Sequence, residues 1–297
     1  MHGFFMTAWD GMRNYWQHIA VTSAICVGLE MVASHEKVST SSRVRGAFFW
    51  FVYVAITVVS LTAFGAMWSK LHVKPFVTID VGLLSQSKYS ALHVLSWIVA
   101  PIAAGIIGEF FYYWFHRAQH TFTWMWRFHA VHHSLREMNG LNDNHHFTEE
   151  IFRIPFCTIP MSLFLNVTTG PIPAAIAFIF SIQGQFEHSC TKFNLGWFRY
   201  VIADNRFHRI HHTINKGDWG HNFGSLVPFW DIVFRTAKFP KKNEWPDVGI
   251  PGVDEPKTIR QFVMMPFTRK RLDGSDPSET PFLMRDSRDM AATASMD

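Results

Sequence analysis

Charge is scarce in this sequence. Asp, Glu, Lys and Arg make up 17% of its 297 residues, against about a quarter in ordinary soluble domains. That shortage argues against a chain whose whole surface meets water. Cysteine is scarcer still: Cys26, Cys157 and Cys190 are the three in the chain. Their odd number and wide spacing exclude a disulfide framework or a CxxC metal knuckle, and a reducing compartment is the simpler reading. No dense Lys/Arg run with interleaved aromatics occurs, so no nucleic-acid partner is expected. The net charge of +4 suits the cytosolic face of a membrane protein. The opening Met-His-Gly-Phe-Phe lacks a positive region and a small-residue cleavage site, so no cleaved leader is expected.

What is present is apolar and comes in blocks. Residues 47–68 carry no charge, and residues 91–115 carry only Glu109. Each block can cross a hydrocarbon core of about 30 Å. Residues 19–33 form a shorter block containing Glu30, which either spans or lies in the interface. Residues 154–167 and 172–186 are separated by Gly170-Pro171-Ile172-Pro173, which predicts a tight helical hairpin. The alternative is two buried helices of a soluble core. The expected fold is all-α, a multi-pass membrane protein with about four transmembrane helices and a cytosolic helical cap. An N-terminal segment (1–46) precedes the membrane domain (47–236), and a partly flexible extension (237–297) follows. Lys37, Arg43 and Arg45 before the first long block, and Arg117, Arg127 and Arg136 after the second, orient the polar stretches toward the cytosol.

Histidine is the residue in excess. Of 17 histidines, seven lie between His116 and His146. His116 and His120 are four apart. His129, His132 and His133 form H-x-x-H-H, and His208, His211 and His212 repeat it. Residues three and four apart share a helical face, so each triplet is expected to aim three imidazoles at one point. Eight imidazoles exceed the needs of one ion and suit two. With no cysteine at ligand spacing, iron is favoured, while zinc and copper stay open. Glu109 lies seven before His116 and Asp204 four before His208, so each is a candidate to orient a ligand ring. Glu187 and Glu149 are weaker candidates. His2, His18, His35, His72 and His93 are isolated and read as non-ligands.

The order of these boxes and of the apolar blocks resembles the fatty acid hydroxylase/sterol desaturase superfamily over roughly residues 90 to 236. Gln185-Phe186-Glu187-His188 resembles its extra histidine after the last span, and His146-Phe147-Thr148-Glu149 its His-Pro-x-Glu element. Asn222-Phe223-Gly224 and Trp230-Asp231-Ile232-Val233-Phe234-Arg235-Thr236 resemble two further signatures. Arg235 stands where Gly is usual, His221 where Lys is common, and Phe147 where Pro is. The resemblance implies His188 as a ninth ligand and His146 as a tenth, with His145 or His221 as alternatives to His146.

The resemblance also implies oxygen-dependent di-iron hydroxylation of a C–H bond in a lipid or other hydrophobic substrate. Desaturation of a lipid or sterol is the alternative. No haem or flavin motif appears, so a separate electron donor of reductase or ferredoxin type is expected. The implied location is the bacterial inner membrane or the endoplasmic reticulum, with the active site facing the cytosol and membrane lipids around it. A metal-transport protein is the competing class. Transporters bind ions near the bilayer midplane, whereas these boxes follow the span ends.

Overall fold

The computed structural model describes the backbone of residues 2–80, 90–168, 172–268 and 270–274; the side chains of 2, 79–104 and 166–177 are outside the description. The chain is mostly helical. Helix α1 (His2–Val32) and helix α2 (Thr40–Lys70) have 31 residues each, about 45 Å at about 1.5 Å per residue. Helix α1 is continuous, so the short apolar block at 19–33 is the C-terminal half of a longer rod. The two helices run antiparallel, with Trp16 stacked on Phe51 at 4.5 Å. Ser39 caps α2 by accepting from Ser42 N. Among the described residues, α2 is the one helix long and apolar enough to cross a membrane by length and composition.

Helix α3 (Ser90–Thr121) returns the chain, and its last turns carry His116 and His120. Helix α4 (Thr123–His133) follows after a one-residue break. The hairpin expected at 154–186 is only partly helical on its first arm. That arm is a short helix α5 (Glu149–Arg153), a π-helical turn (Ile154–Thr158) and helix α6 (Ile159–Phe164). Pro155 and Pro160 deny the arm two backbone donors, which accounts for its broken ladder. Residues expected to continue the helix instead form strand β2 (Leu165–Thr168), parallel to β1 (Val77–Asp80). The all-α expectation holds in its coarse form, since the described residues are mostly helical and this two-stranded pair is a small exception. Helix α7 (Ile172–His188) brings the chain back to the histidine end. Helix α8 (Asn205–His211) and the single-turn helix α9 (Phe229–Val233) complete the cap.

Two features outside the histidine boxes tie the cap together. Glu30, on α1, is buried; its Oε1 accepts from Gly140 N at 2.8 Å, Ser189 Oγ at 2.9 Å and Cys190 N at 3.1 Å. Its other oxygen pairs with Arg43. A carboxylate in an apolar block is thus paired and fully hydrogen-bonded, as burial demands. The second feature is the C-terminal extension. Ile250, Val253, Leu272 and Phe262 of helix α10 (Ile259–Met264) form one core with Phe49, Trp126 and Val131. Trp126 Nε1 donates to Leu272 O at 2.7 Å. The extension, expected to be partly flexible, is therefore packed over the second box at Ile250, Val253, Phe262 and Leu272.

Gly46 marks the tightest contact between α2 and the cap, because a Cβ there would collide with the Leu141 carbonyl. Ala favours a helix over Gly by about 1 kcal/mol, but overpacking costs about 1–3 kcal/mol. Gly46→Ala should therefore lower the thermal midpoint of the purified protein, and a raised midpoint would refute the close approach.

Candidate metal centre

The nine histidines expected to bind metal separate into two buried groups. One nitrogen each from His116, His120, His129, His133 and His211 lie within 4.8 Å of one another. The second group, His132, His188, His208 and His212, meets the same limit. The two H-x-x-H-H triplets do not each aim at one point, as expected. In each, the residues four apart share a group and the third joins the other: His129 and His133 against His132, and His208 and His212 against His211. Helical geometry explains the split. At about 100° per residue, His132 lies roughly 100° around the α4 axis from His133. Helices α4 and α8 therefore each lie between the groups and serve both.

Hydrogen bonding fixes which nitrogen points inward. His116 Nδ1 donates to Phe223 O at 2.7 Å, His188 Nδ1 to Gly184 O at 2.7 Å and His211 Nδ1 to His221 O at 2.8 Å. His129 Nδ1 donates to Glu149 Oε1 at 2.7 Å. Carbonyls only accept, so Nδ1 of these rings carries the hydrogen and Nε2 the lone pair. His208 Nε2, whose ring has no hydrogen-bond partner at Nδ1, stands 3.1 Å from His188 Nε2. His116 Nε2 and His129 Nε2, both left with the lone pair, stand 3.0 Å apart. Two lone pairs at that distance repel unless a cation lies between them. His120 Nε2 and His211 Nε2 are buried without any partner. Burial, reinforced by the neighbouring imidazoles, holds His129, His132, His133, His208 and His212 well below the ordinary histidine range. They are neutral, the form a metal requires. The residues present thus fit a pair of cations.

Residues 101–236 match the family model described as fatty acid hydroxylase. The chain is 29% identical over 178 residues to an ornithine lipid hydroxylase of Rhizobium tropici, covering 59% of this chain and 53% of that one. It is 30% identical over 137 residues to the alkylglycerol monooxygenase of Homo sapiens, covering 46% and 29%. A very-long-chain aldehyde decarbonylase of Oryza sativa is 29% identical over 158 residues, covering 50% and 25%. The part of the chain that carries the boxes is thus similar to the fatty acid hydroxylase family. Its match spans about half of the bacterial relative and less of the others. No solved structure gives a significant match.

The hydroxylase signatures outside the boxes act by holding ligand rings. Asp231 Oδ1 accepts from Phe223 N at 2.8 Å and Thr236 Oγ1 at 2.7 Å, and its Oδ2 from Gly224 N at 2.7 Å. This pins the carbonyl that His116 uses. A Cβ at Gly224 would come 2.7 Å from Val227 O, so only Gly fits. Asn222 is left-handed at φ 61°, its side chain bonded to Phe207 O and to Lys238 O and N. The three departures from the family pattern have local reasons. His221 supplies only its carbonyl to His211, which Lys could do equally. Phe147 packs on Phe262 of the C-terminal extension, ring centres 4.9 Å apart. Arg235 occupies a left-handed position at φ 59°, which favours Gly.

Three other expected site residues, Glu109, Asp204 and His146, are placed differently. Glu109 does not touch a ligand ring; its Oε2 accepts from Ser225 N at 2.9 Å and Leu226 N at 3.0 Å, just beyond the Asn222–Gly224 loop. Asp204 caps α8 through Phe207 N and pairs with Arg199 at 3.2 Å, rather than orienting His208. Glu187 takes the position beside that ring, 3.9 Å from His208 Nδ1. His146 lies apart from both groups: Nδ1 meets Thr148 Oγ1, Nε2 meets Val263 O, and the ring stacks on Phe262. His145 is the nearer of the pair, stacked on His132 at 3.9 Å. Burial alone would lower it, but Glu149 and Asp143 together hold it at about 9. It is charged and serves as their cation. His145 also belongs to two smaller candidate groups, with His129 and Glu149 and with His132 and Asp143. His221 turns its Nδ1 to backbone carbonyls 218 and 219. Sequence reasoning missed Asp143, 3.5 Å from His188 Nε2. Its only signal was a place in the polar stretch after the second box.

The groups differ in access. A cavity of about 460 Å³ opens on His132, His188 and His208, walled by Tyr112, Met161 and Phe180 among others. Beside His120, His133 and His211 lies a space of about 30 Å³, closed by Gly249 and Ile250, room for about one water. The left-handed Arg235 yields a direct test. Arg235→Gly should stabilise the protein by about 0.5–1 kcal/mol with metal content unchanged, measured by thermal unfolding of the loaded protein; a loss of stability would assign the arginine side chain a contact of its own.

Proposed function

We propose that this protein is a membrane-bound di-iron oxygenase that hydroxylates a lipid or similarly hydrophobic substrate. The observation that carries the reading is the pair of buried imidazole groups with inward lone pairs, one of them facing a cavity of ordinary small-molecule size. Five nitrogen donors exceed the tetrahedral demand of zinc, and an all-nitrogen set suits iron. His116, His120, His129, His133 and His211 would hold one ion, and His132, His188, His208 and His212 the other. Iron bound there supplies oxygen activation, chemistry that no side chain performs. Overall, the substrate C–H bond and O2, with two electrons and two protons, give an alcohol and water. The electrons come from a separate reductase or ferredoxin-type donor. The chain's own work is to orient four of the rings through Nδ1–H, to exclude water by burial, and to seat the substrate beside His132 and His188.

The relatives named hydroxylase and monooxygenase support this chemistry, and the ornithine lipid and alkylglycerol of their names support a lipid substrate. Helices α2, α3, α7 and the broken α5–α6 arm are the proposed spans, with the histidine end on the cytosolic side. Cysteine-accessibility labelling at both ends of α2 checks that orientation. The catalytic test is lipid mass spectrometry of cells grown under isotopically heavy oxygen gas. A lipid should gain one heavy oxygen atom, and His132→Ala should abolish it. A new double bond without oxygen would make the enzyme a desaturase, and no lipid change would refute the proposal. Purified protein should carry about two iron ions per chain. Glu109→Gln should retain them while slowing turnover about 10–100-fold; full metal loss would make Glu109 a ligand.

A further inference from the structure

The cavity beside His132 and His188 contains a charged group that the histidine chemistry leaves unused. Arg153, the last residue of α5, lines this cavity, and its side chain is 40% accessible. It pairs with Glu150 Oε2 at 3.4 Å, long for a charge-assisted hydrogen bond. The same oxygen also accepts from Tyr53 Oη at 3.2 Å. The Tyr112 ring lies 5.7 Å from the guanidinium carbon and supports its position. A guanidinium has five N–H donors in a planar fork, and Glu150 engages one of them. The remaining donors have an accessible cavity before them, the arrangement expected of an anion anchor.

The helix supplies a ruler. Arg153 follows Glu149 by four residues on the same face, about 6 Å along the axis. Glu149 touches the His129 ring at 2.7 Å. Arg153 therefore leaves the helix about one turn beyond the residue that touches His129, and it lines the same cavity as His132 and His188.

We propose that Arg153 anchors an anionic oxygen-acid head, a carboxylate or a phosphate, of the lipid that occupies this cavity. A lipid so anchored presents carbons within a few bonds of its head to His132 and His188, rather than its far end. The substrate role rests on the oxygenase reading; the binding does not. Both head groups offer the paired oxygens that the arginine fork matches.

The test uses full-length, metal-loaded protein in neutral detergent. Binding of palmitate, of lysophosphatidate and of an uncharged monoacylglycerol of the same chain length is followed by tryptophan fluorescence. At least one anionic probe should bind about tenfold or more tightly than the neutral one, the size expected of a charge-assisted pair. Which anion binds tighter distinguishes carboxylate from phosphate. Arg153→Gln should erase the preference at unchanged metal content, and Arg153→Lys should keep part of it. Equal binding of charged and neutral probes by the unaltered protein, or a preference that survives Arg153→Gln, overturns the proposal. Binding is read without turnover, so the two readings fail separately. Anionic preference without lipid oxidation removes the oxygenase and leaves the anchor; oxidation without that preference does the reverse.

Discussion

A neutral imidazole has one N–H and one lone pair on opposite sides of its ring, so fixing the hydrogen aims the lone pair. Four rings of this centre have the hydrogen fixed outward, three by main-chain carbonyls and one by Glu149. Much of the cap exists to hold those acceptors still. Phe223 O is placed by a loop that Asp231 grips at two amides, and Glu109 grips the next two. Gly184 O belongs to α7 itself. On the inward face the His116 and His129 lone pairs then stand 3.0 Å apart, an arrangement stable only around positive charge.

The same constraint gives the two groups different surroundings. Helices α4 and α8 each supply both groups, so the groups cannot move apart without unwinding a helix. Their outer sides are nevertheless unlike. The five-histidine group lies under the C-terminal extension, with space for about one water. The four-histidine group faces the large cavity, with Asp143 at its rim. The second group is therefore the open one, and the first is shielded.

Legibility in the sequence followed the range of the interactions. The nine clustered histidines were readable because box spacing is local helical geometry, with the family pattern adding His188. The division of each triplet between groups was not, since it depends on what lies on either side of the helix. Asp204 looked like a ring partner by spacing, but a residue at that position is also the N-cap of α8, and capping won. His146 followed a family element, while the fold turned it onto Phe262 and brought His145 inward. The strand at Leu165–Thr168 required a partner 88 residues earlier in register, Val77, which apolar composition cannot reveal. The extension after residue 237 looked polar, yet Ile250, Val253 and Phe262 are spaced too widely to show a periodic face.

The matched family region, residues 101–236, contains all nine histidines of the two groups. Much of what surrounds them comes from outside it. Tyr15 of α1 and Phe49, Trp50, Tyr53 and Leu61 of α2 line the substrate-side cavity, Glu30 holds the segment after His188, and Ile250 covers the shielded group. The ligand set is bound by strict geometry: moving one ring leaves an unpaired lone pair buried, which is costly. Cavity walls face no such constraint, because apolar side chains of similar volume exchange at little cost. The cavity wall draws on two segments: Tyr15, Phe49, Trp50, Tyr53 and Leu61 of the N-terminal hairpin and, from the matched region, Tyr112, Arg153, Met161 and Phe180 among others. Exchange of such wall residues changes the shape of the cavity while the geometry of the nine histidines stays in place.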